Sequence, residues 1–271
     1  EISACLVGSE MCIRDRVKNI IKLNQKAKAR REQGLFIAEG RKMFLEAPDD
    51  WIEKIYVAES MLEDEEVMKK VRRFSWEAVE NGVFRQMCDT QTPQGILAIV
   101  RMPKYDLPDL LQGDHTHLLI LESVQDPGNL GTMVRTGEGA GITGIIMNKT
   151  TVDLFNPKTI RSTMGSIYRV PYLITEHLPD LLDELHKENI RLYAAHLKGD
   201  TYYDAFDFTG ACGFLIGNEG NGLSDEIAEC ADCYLKIPME GKVESLNAAV
   251  SAALLMYECK RQRGEHNENM V

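Results

Sequence analysis

The stretch "HLLILESVQDPGNLGTMVRTGEGAGITGIIMN" (117–148) decides the fold of the larger part of the chain. It opens with a continuous apolar run, which is typical of a strand buried on both faces. Pro127-Gly128 turns the chain, a helix is predicted over 129–140, and a second strand follows at 143–148. A strand, a helix and a strand in this order predict parallel pairing within an α/β domain.

The same alternation continues on both sides of this stretch. Toward the C-terminus we predict the strands 170–174, 191–196, 212–217 and 233–238, and the helices 157–165 and 177–188, one after Ser224 and a last one with an apolar stripe at Leu246, Ala249, Val250, Ala253, Leu254 and Tyr257. Toward the N-terminus we predict the helices 17–32, 41–47 and 60–72 and the strands 35–40, 52–58 and 95–100. The chain is therefore predicted to hold a small α/β domain at 17–100, a linker at 101–116 and a larger parallel-sheet domain at 117–271.

The first sixteen residues are treated separately. The segment "CLVGSEMCIRDR" (5–16) has no clear periodicity and resembles the translation of a common sequencing adapter. We hypothesise that residues 1–16 are not native, and they carry no argument about the fold.

Composition limits the class of protein. The 271 residues are 44% apolar, which suffices for packed cores, and no apolar run is long enough to cross a bilayer. The seven cysteines are an odd number at irregular spacings, and no secretory leader is visible, so we expect a cytoplasmic protein with free thiols. The pair Cys230 and Cys233 lacks a second pair, and His115 and His117 are expected to be solvated, so no metal site is predicted.

Charge is distributed unevenly. The net charge of −11 argues against a protein that coats nucleic acid by charge alone. Residues 17–100 carry 14 basic and 14 acidic residues, whereas the rest of the chain from Arg101 carries 15 basic and 25 acidic ones. Within 17–31 there are six basic residues and no acid: Lys18, Lys22, Lys26, Lys28, Arg30 and Arg31. This run is either a solvated helix face or an arm that contacts phosphates.

Three predicted strand ends carry unusual loops, and in open α/β sheets ligands bind at strand ends. The first is "ESVQDPGNLGTMVRTGEGAG" (122–141), in which Gly131 lies one turn before Arg135. The second is "FLIGNEGNGLSDE" (214–226), a glycine-rich turn that contains Glu219. The third, "KIPMEGKVESLNAAV" (236–250), leads into the last helix, with Ser245 as its expected cap and Asn247 in its first turn. Alternatively, Arg135 pairs with a nearby acid and Ser245 and Asn247 serve only as caps.

Several familiar chemistries do not fit. "GAGITG" (139–144) matches a dinucleotide fingerprint but follows a helix and precedes a strand, the reverse of the required context. These glycines are expected to end a helix. The sequence has neither a GxxxxGK[ST] phosphate loop nor a GxSxG nucleophile elbow.

Together the three loops resemble the motifs of the SpoU/TrmH family of SPOUT methyltransferases. The resemblance rests on "NLGTMVRT", "LIGNEGNGL" and "IPMEGKVESLNAAVSAA" in this order, and "GLFIAEGRKMFLEA" is similar to the family's ribosomal-protein-like substrate-binding domain. It implies an S-adenosylmethionine-dependent ribose 2′-O-methyltransferase that acts on tRNA or rRNA. It also implies a deep trefoil knot in the C-terminal domain and a homodimer with the active site at its interface.

The resemblance also implies roles for individual residues. Its cofactor-binding positions are Gly217, Ile237 and Leu246, with Ile216, Met239 and Leu197 nearby. Its polar motif positions are Asn129, Arg135, Glu219, Ser245 and Asn247. A guanidinium keeps its proton far above neutral pH, so we expect Arg135 to orient the nucleophile or a phosphate rather than to act as the base. Glu219 is either an alternative base or an acid that fixes its loop.

Two other functions compete with this prediction. One is an RNA-binding protein of the same fold without turnover, which retention of the five polar motif positions disfavours. The other is a small-molecule enzyme with a nucleotide cofactor, which the context of "GAGITG" and the basic run disfavour.

Overall fold

The computed structural model describes residues 2–242 and 245–264, with side chains from residue 14 onward. The chain forms two compact units, each built around its own sheet. The N-terminal unit comprises the chain up to Lys104 together with Phe155–Tyr168, and the C-terminal unit comprises Tyr105–Leu154 and the chain from Arg169.

The elements follow one another in the alternation that the sequence predicts. The first part of the chain contains α1 (Ile2–Gln25), α2 (Ala27–Gln33), β1 (Leu35–Glu39), α3 (Arg41–Glu46), β2 (Ile52–Ala58), α4 (Glu65–Val71), β3 (Trp76–Val79), α5 (Asn81–Met87) and β4 (Ile96–Arg101). The remainder contains α6 (Leu107–Leu110), β5 (His117–Leu121), α7 (Pro127–Ala140), β6 (Gly144–Asn148), α8 (Pro157–Thr163), β7 (Tyr172–Thr175), α9 (Leu178–Lys187), β8 (Arg191–Ala195), β9 (Thr201–Tyr202), β10 (Cys212–Ile216), α10 (Asp225–Glu229), β11 (Cys233–Lys236) and α11 (Ala248–Gln262). Short 3-10 turns occupy Asp49–Trp51, Glu59–Met61, Ser166–Tyr168 and Tyr203–Ala205.

The N-terminal unit is a four-stranded sheet in the order β1-β4-β2-β3. Strand β4 pairs antiparallel with β1 and β2, and β3 joins parallel to β2. Helix α1 covers the sheet with Ile20 and Leu23, which are fully buried against Leu97 and neighbouring core residues. Strand β3 and helix α5 are elements that the sequence did not predict, because β3 is short and largely exposed.

The predicted helix 17–32 is two helices. The break at Lys26 is stabilised by Arg30, whose guanidinium donates to the carbonyl oxygens of Leu23 at 2.6 Å and Asn24 at 3.0 Å. These carbonyls at the end of α1 have no partner within the helix, and Arg30 supplies one. Arg30 is only 2% exposed, so its inclusion in the predicted RNA-contacting run was wrong. The other five basic residues of the run are exposed: Lys18, Lys22, Lys26, Lys28 and Arg31.

The C-terminal unit contains a seven-stranded sheet in the order β7-β6-β5-β10-β8-β11-β9. Every neighbouring pair in it is parallel, which confirms the predicted sheet type. Leu215 of β10 packs with the leucines of α9 on one face. Phe214, the preceding residue, packs against Tyr193 and Phe208 on the other. Successive side chains of a strand point to opposite faces, so both faces of the sheet are covered.

The boundaries between the units differ from the predicted linker at 101–116. Strand β4 runs through Arg101, and Leu110 of α6 is fully buried in the core of the C-terminal unit. The segment 155–168, placed by sequence in the larger domain, packs in the N-terminal unit through a contact of 4.8 Å between the ring centroids of Phe155 and Phe36. The linker was predicted from Pro103 and Gly113, which are typical of loops. These residues do not indicate which unit buries the apolar side chains between them.

The end of α7 and the buried face of α11 can be compared with the sequence predictions. Helix α7 ends at Gly141, which adopts φ 78°, so the glycines of "GAGITG" end a helix as predicted. On α11 the predicted apolar stripe coincides with the buried face only at Ala249. Val250, Leu254 and Tyr257 are 47%, 36% and 49% exposed, whereas the buried residues are Ala248, Ala249, Ala252, Leu255, Met256 and Cys259.

Among the described residues, none of the helices combines the length and the apolar character of a membrane span.

Candidate active site

The three loops meet where the sheet reverses its order of strands. Strand β10 lies between β5 and β8. Because β5 and β10 are parallel neighbours, the turns that follow them lie side by side at the same edge of the sheet. Such a reversal point is where open α/β sheets bind ligands. The turn after β5 spans 122–126, and the turn after β10 spans 217–224.

Glu219 joins these two turns. Its carboxylate accepts hydrogen bonds from the backbone N–H groups of Gln125 at 3.0 Å and Asp126 at 3.1 Å, and from Nδ2 of Asn129 at 3.0 Å. Partial burial raises the pKa of Glu219, but these hydrogen bonds outweigh it and hold the pKa below its usual value. Glu219 is therefore a carboxylate at neutral pH, and it faces the start of α7.

Asn129 extends the connection to the third loop. Its Oδ1 accepts a hydrogen bond of 3.0 Å from Nδ2 of Asn247. Asn247 is the N-cap of α11, because its Oδ1 accepts from the backbone N–H groups of Ala249 and Val250. Ser245 was predicted to be this cap, and it is instead an exposed residue two positions earlier. The chain Glu219–Asn129–Asn247 thus links all three loops through side chains.

The glycine-rich turn is closed by its own backbone. Asn218 bridges to Gly222, its Oδ1 accepts from the N–H groups of Gly220 and Asn221, and its Nδ2 donates to the Ser123 carbonyl at 2.8 Å. A Cβ on Gly217 would lie 2.1 Å from the carbonyl carbon of Gly222. Real Cβ atoms do not approach backbone so closely, so only glycine permits this turn at position 217.

The predicted cofactor residues lie at the ends of neighbouring strands or in the loops that follow them. Ile216 and Gly217 are buried at the end of β10, and Ile237, Met239 and Leu246 are half-buried in the loop after β11. Leu197, after β8, is 67% exposed. These side chains offer apolar contacts at the ends of three adjacent strands, β10, β8 and β11.

Arg135 lies two turns into α7 with its side chain exposed. Within residues 14–242 and 245–264 its guanidinium has no hydrogen bond or ion pair, so the structure does not support the alternative in which Arg135 pairs with a nearby acid. A groove of about 590 Å³ opens between α7 and α11. It is lined by Asn129, Thr132, Thr136, Tyr203, Asn247, Ala249, Val250, Ala253, Leu254, Tyr257, Glu258 and Arg261.

Two further groups hold the loops and were missed in the sequence. The carboxylate of Glu122 accepts from the backbone N–H of Ser224 at 2.8 Å and from its hydroxyl at 2.7 Å, which ties the end of β5 to the start of α10. Asn218 organises the glycine-rich turn. An asparagine at the start of a glycine-rich turn is the sequence signal that identifies this second residue, since its side chain mimics a backbone turn.

Comparison with known proteins assigns both parts of the chain. Residues 116–257 match the SpoU rRNA Methylase family, and residues 14–98 match the MRM3-like substrate binding domain. The 23S rRNA (guanosine(2553)-2'-O)-methyltransferase RlmP of Bacillus subtilis is 37% identical over 177 residues, 65% of this chain and 69% of that protein. An uncharacterized tRNA/rRNA methyltransferase of Synechocystis is 31% identical over 91% of each chain.

A solved structure repeats the architecture. The SpoU methyltransferase AviRb from Streptomyces viridochromogenes, in complex with the cofactor AdoMet, superposes with a TM-score of 0.86 at 26% identity, covering 92% of this chain and 98% of that one. The three loops therefore occur in the expected fold, with the Glu219, Asn129 and Asn247 side chains joined. The chain belongs to the SpoU rRNA Methylase family.

Proposed function

We propose that the protein transfers a methyl group from S-adenosylmethionine to a ribose 2′-hydroxyl of rRNA or tRNA. The observation that carries the proposal is the Glu219–Asn129–Asn247 connection, which fixes three ligand-binding loops at the reversal point of the sheet. Family membership and the rRNA guanosine methyltransferase activity named for the relatives favour catalysis over RNA binding alone. They also favour rRNA as the substrate.

The residues at the glycine-rich turn fit the cofactor. Gly217 places no side chain between the end of β10 and the turn, so we assign its backbone N–H and C=O groups to the adenine edge. Ile237, Met239 and Leu246 would contact its apolar surfaces, and Leu197 would cover it from the side of β8. S-adenosylmethionine supplies a methyl group on a sulfonium, and a cationic ligand is compatible with the carboxylate of Glu219 nearby.

We assign substrate binding, stabilisation of charge and positioning of the loops to Arg135, Glu219 and the two asparagines. We assign to Arg135 the binding of the substrate ribose or an adjacent phosphate and the stabilisation of negative charge that develops on the ribose oxygen. Glu219 is assigned a positioning role, because both of its oxygens already accept hydrogen bonds from the turn before α7. Asn129 and Asn247 hold the first and third loops together, and Ser245, exposed two positions before Asn247, is assigned to the substrate.

The proposed reaction is tested directly with purified components. Protein, S-adenosylmethionine labelled in its methyl group and rRNA lacking modifications are incubated, and the labelled nucleotide is mapped. A ribose 2′-O-methyl group blocks alkaline cleavage of the following phosphodiester, so the label is expected at an alkali-resistant position. Label on a base, or tight RNA binding without any transfer to rRNA or tRNA, would contradict the proposal.

We also propose that the protein is a homodimer that associates through the groove between α7 and α11. Val250, Leu254 and Tyr257 form an exposed apolar stripe on α11, and apolar surface of this kind marks interaction sites. The groove includes Asn129 and Asn247, so a second copy seated there would lie beside the proposed active site. Arg135 has no partner among the residues the structure describes, which agrees with a site that a second copy completes.

Replacing Leu254 by aspartate is expected to shift the protein from dimer to monomer. A charge in the middle of a desolvated apolar interface costs several kcal/mol, about a hundredfold or more in the dissociation constant. Sedimentation equilibrium measures the shift, and Ile174→Asp, at an exposed apolar residue of β7, is the control that should stay dimeric. A wild-type protein that sediments as a monomer would refute the proposed dimer.

The exposed lysines of α1 and α2 are proposed to contact RNA phosphates. Lys22 and Lys26 are exposed, and Lys28 is exposed apart from a surface ion pair with Glu32 at 3.7 Å. Replacing all three by alanine is expected to lower the steepness of log affinity against log salt by about 2, since each phosphate contact on a single strand contributes roughly 0.7 to it. Filter binding across a salt series measures the slope, and Lys187→Ala, on α9, serves as a control. An unchanged slope would leave the run as a solvated face.

Two further proposals follow from the same assignment. We place the protein in the cytoplasm, which agrees with the described cysteines being free thiols. We also propose that the C-terminal unit carries the deep trefoil knot of its family. The proposal rests on family membership, and the strand order, with β10 between β5 and β8, agrees with it.

A further inference from the structure

A cluster of soft metal ligands lies at the opposite edge of the C-terminal sheet from the proposed active site. His117 and Cys212 are the first residues of β5 and β10 and are paired in register, and Cys259 projects from α11. An imidazole nitrogen and the two sulfurs lie within 4.8 Å of one another. His117, expected from sequence to be solvated, is 1% exposed, and the two cysteines are 1% and 0% exposed.

Two of the separations match those that one tetrahedral zinc ion imposes. The two sulfurs are 3.7 Å apart, and thiolates bound to zinc at about 2.3 Å lie roughly 3.8 Å from each other. The carbonyl oxygen of Phe208 lies 3.5 Å from Cys259 Sγ, and an oxygen and a sulfur on the same ion would be roughly 3.6 Å apart. Two thiols and an imidazole thus lie together, and the carbonyl beside Cys259 can supply a fourth donor.

Two further features indicate a ligand rather than ordinary packing. Nε2 of His117 is buried and has no hydrogen-bond partner among the described residues, which is costly for a polar atom in a core. Arg263 closes the cluster from outside. Its guanidinium contacts Cys212 Sγ at 3.6 Å and donates to the carbonyl oxygens of Phe208, His115, Thr116 and Gly210. The cluster is thereby closed to solvent, with each of its three side chains at most 1% exposed.

We propose that His117, Cys212, Cys259 and the Phe208 carbonyl bind one structural zinc ion, which revises the sequence prediction of no metal. Thiolate and imidazole together favour zinc over magnesium or calcium. The ion would connect the starts of β5 and β10 to α11. Because α11 carries Asn247 at its other end, the ion would stabilise the helix that supports the third loop without touching substrate.

The test measures metal in the full chain, purified without a histidine tag from zinc-supplemented cells. Mass spectrometry of the metal content is expected to give about one zinc per chain, falling to background in Cys259→Ser and His117→Ala. Cys230→Ser, at a half-buried cysteine outside the cluster, should keep the zinc. Chelation should lower the melting temperature of the wild-type protein, and added zinc should restore it.

Cobalt provides a readout that does not depend on the stability of the variants. Wild-type protein stripped of zinc and given Co²⁺ should show the thiolate-to-cobalt charge-transfer bands of a tetrahedral site, and these bands should disappear when Zn²⁺ is added. Protein without zinc that gives no such bands would overturn the proposal. A disulfide between Cys212 and Cys259 in freshly purified protein, found by peptide mapping, would overturn it equally.

Discussion

Arg135→Ala is expected to reduce methyl transfer at least about a hundredfold while leaving the affinity for S-adenosylmethionine within about twofold of wild type. Removing a single donor that stabilises developing charge in a catalytic site typically costs two to three orders of magnitude in kcat. Cofactor binding is spared because the residues assigned to it lie after β8, β10 and β11, not on α7. Single-turnover transfer to rRNA and calorimetric titration with the cofactor separate the two effects.

A lysine at position 135 is the informative companion variant. Lysine keeps the charge but not the planar, bidentate fork of the guanidinium, so Arg135→Lys is expected to recover only part of the lost rate. Arg135 is exposed and unpaired among the described residues, and neither variant should change the unfolding midpoint measurably. Turnover by Arg135→Ala close to the wild-type rate would show that Arg135 is remote from the chemistry.

Gly217→Val is expected to abolish S-adenosylmethionine binding. The Cβ of any other residue would lie 2.1–2.3 Å from the backbone of Gly222 and Leu223, which no side-chain adjustment can relieve. Overpacking of a rigid site costs about 3 kcal/mol or more, so the glycine-rich turn opens instead, and the cofactor affinity falls by roughly a hundredfold or more. Calorimetry with the cofactor measures this loss.

The same turn provides a matched control. A Cβ on Gly220 would have only Asn218 Oδ1 nearby, at an ordinary distance of 3.5 Å, so Gly220→Ala should bind the cofactor normally. Circular dichroism of Gly217→Val should retain the signal of the folded chain, since the change is confined to one loop. Equal cofactor affinity for the two variants would refute the assigned role of the turn.

Much of the fold could be predicted because its signals are local. The apolar runs at β5 and β10 each fit a strand buried on both faces, and Pro127 and Gly141 mark the ends of α7. Strand β3 and helix α5 escaped prediction because an exposed strand of four residues lacks a buried face to generate a pattern. The segment 155–168 was assigned to the wrong unit because apolar periodicity identifies a buried face, not the core that receives it.

Part of the candidate active site could be predicted from sequence, and part depends on the tertiary structure. The residue types and their order identified Asn129, Arg135, Glu219 and Asn247, yet sequence could not decide whether Glu219 faces the cofactor loop, Arg135 or RNA. Its two hydrogen bonds to the turn before α7 and one to Asn129 in α7 decide this, because they depend on two strands that are adjacent only through the strand order. Arg30 and His117 were misjudged for a related reason. A basic or polar residue can be buried when distant backbone carbonyls or thiols surround it.

The most direct test maps ribose 2′-O-methylation across all cellular RNA in a strain that lacks this protein and in its parent. The account predicts the loss of ribose methylation at a defined rRNA or tRNA position, restored by the wild-type chain and not by Arg135→Ala. Identical ribose methylation maps in the two strains, with a base methylation or no modification missing, would contradict it.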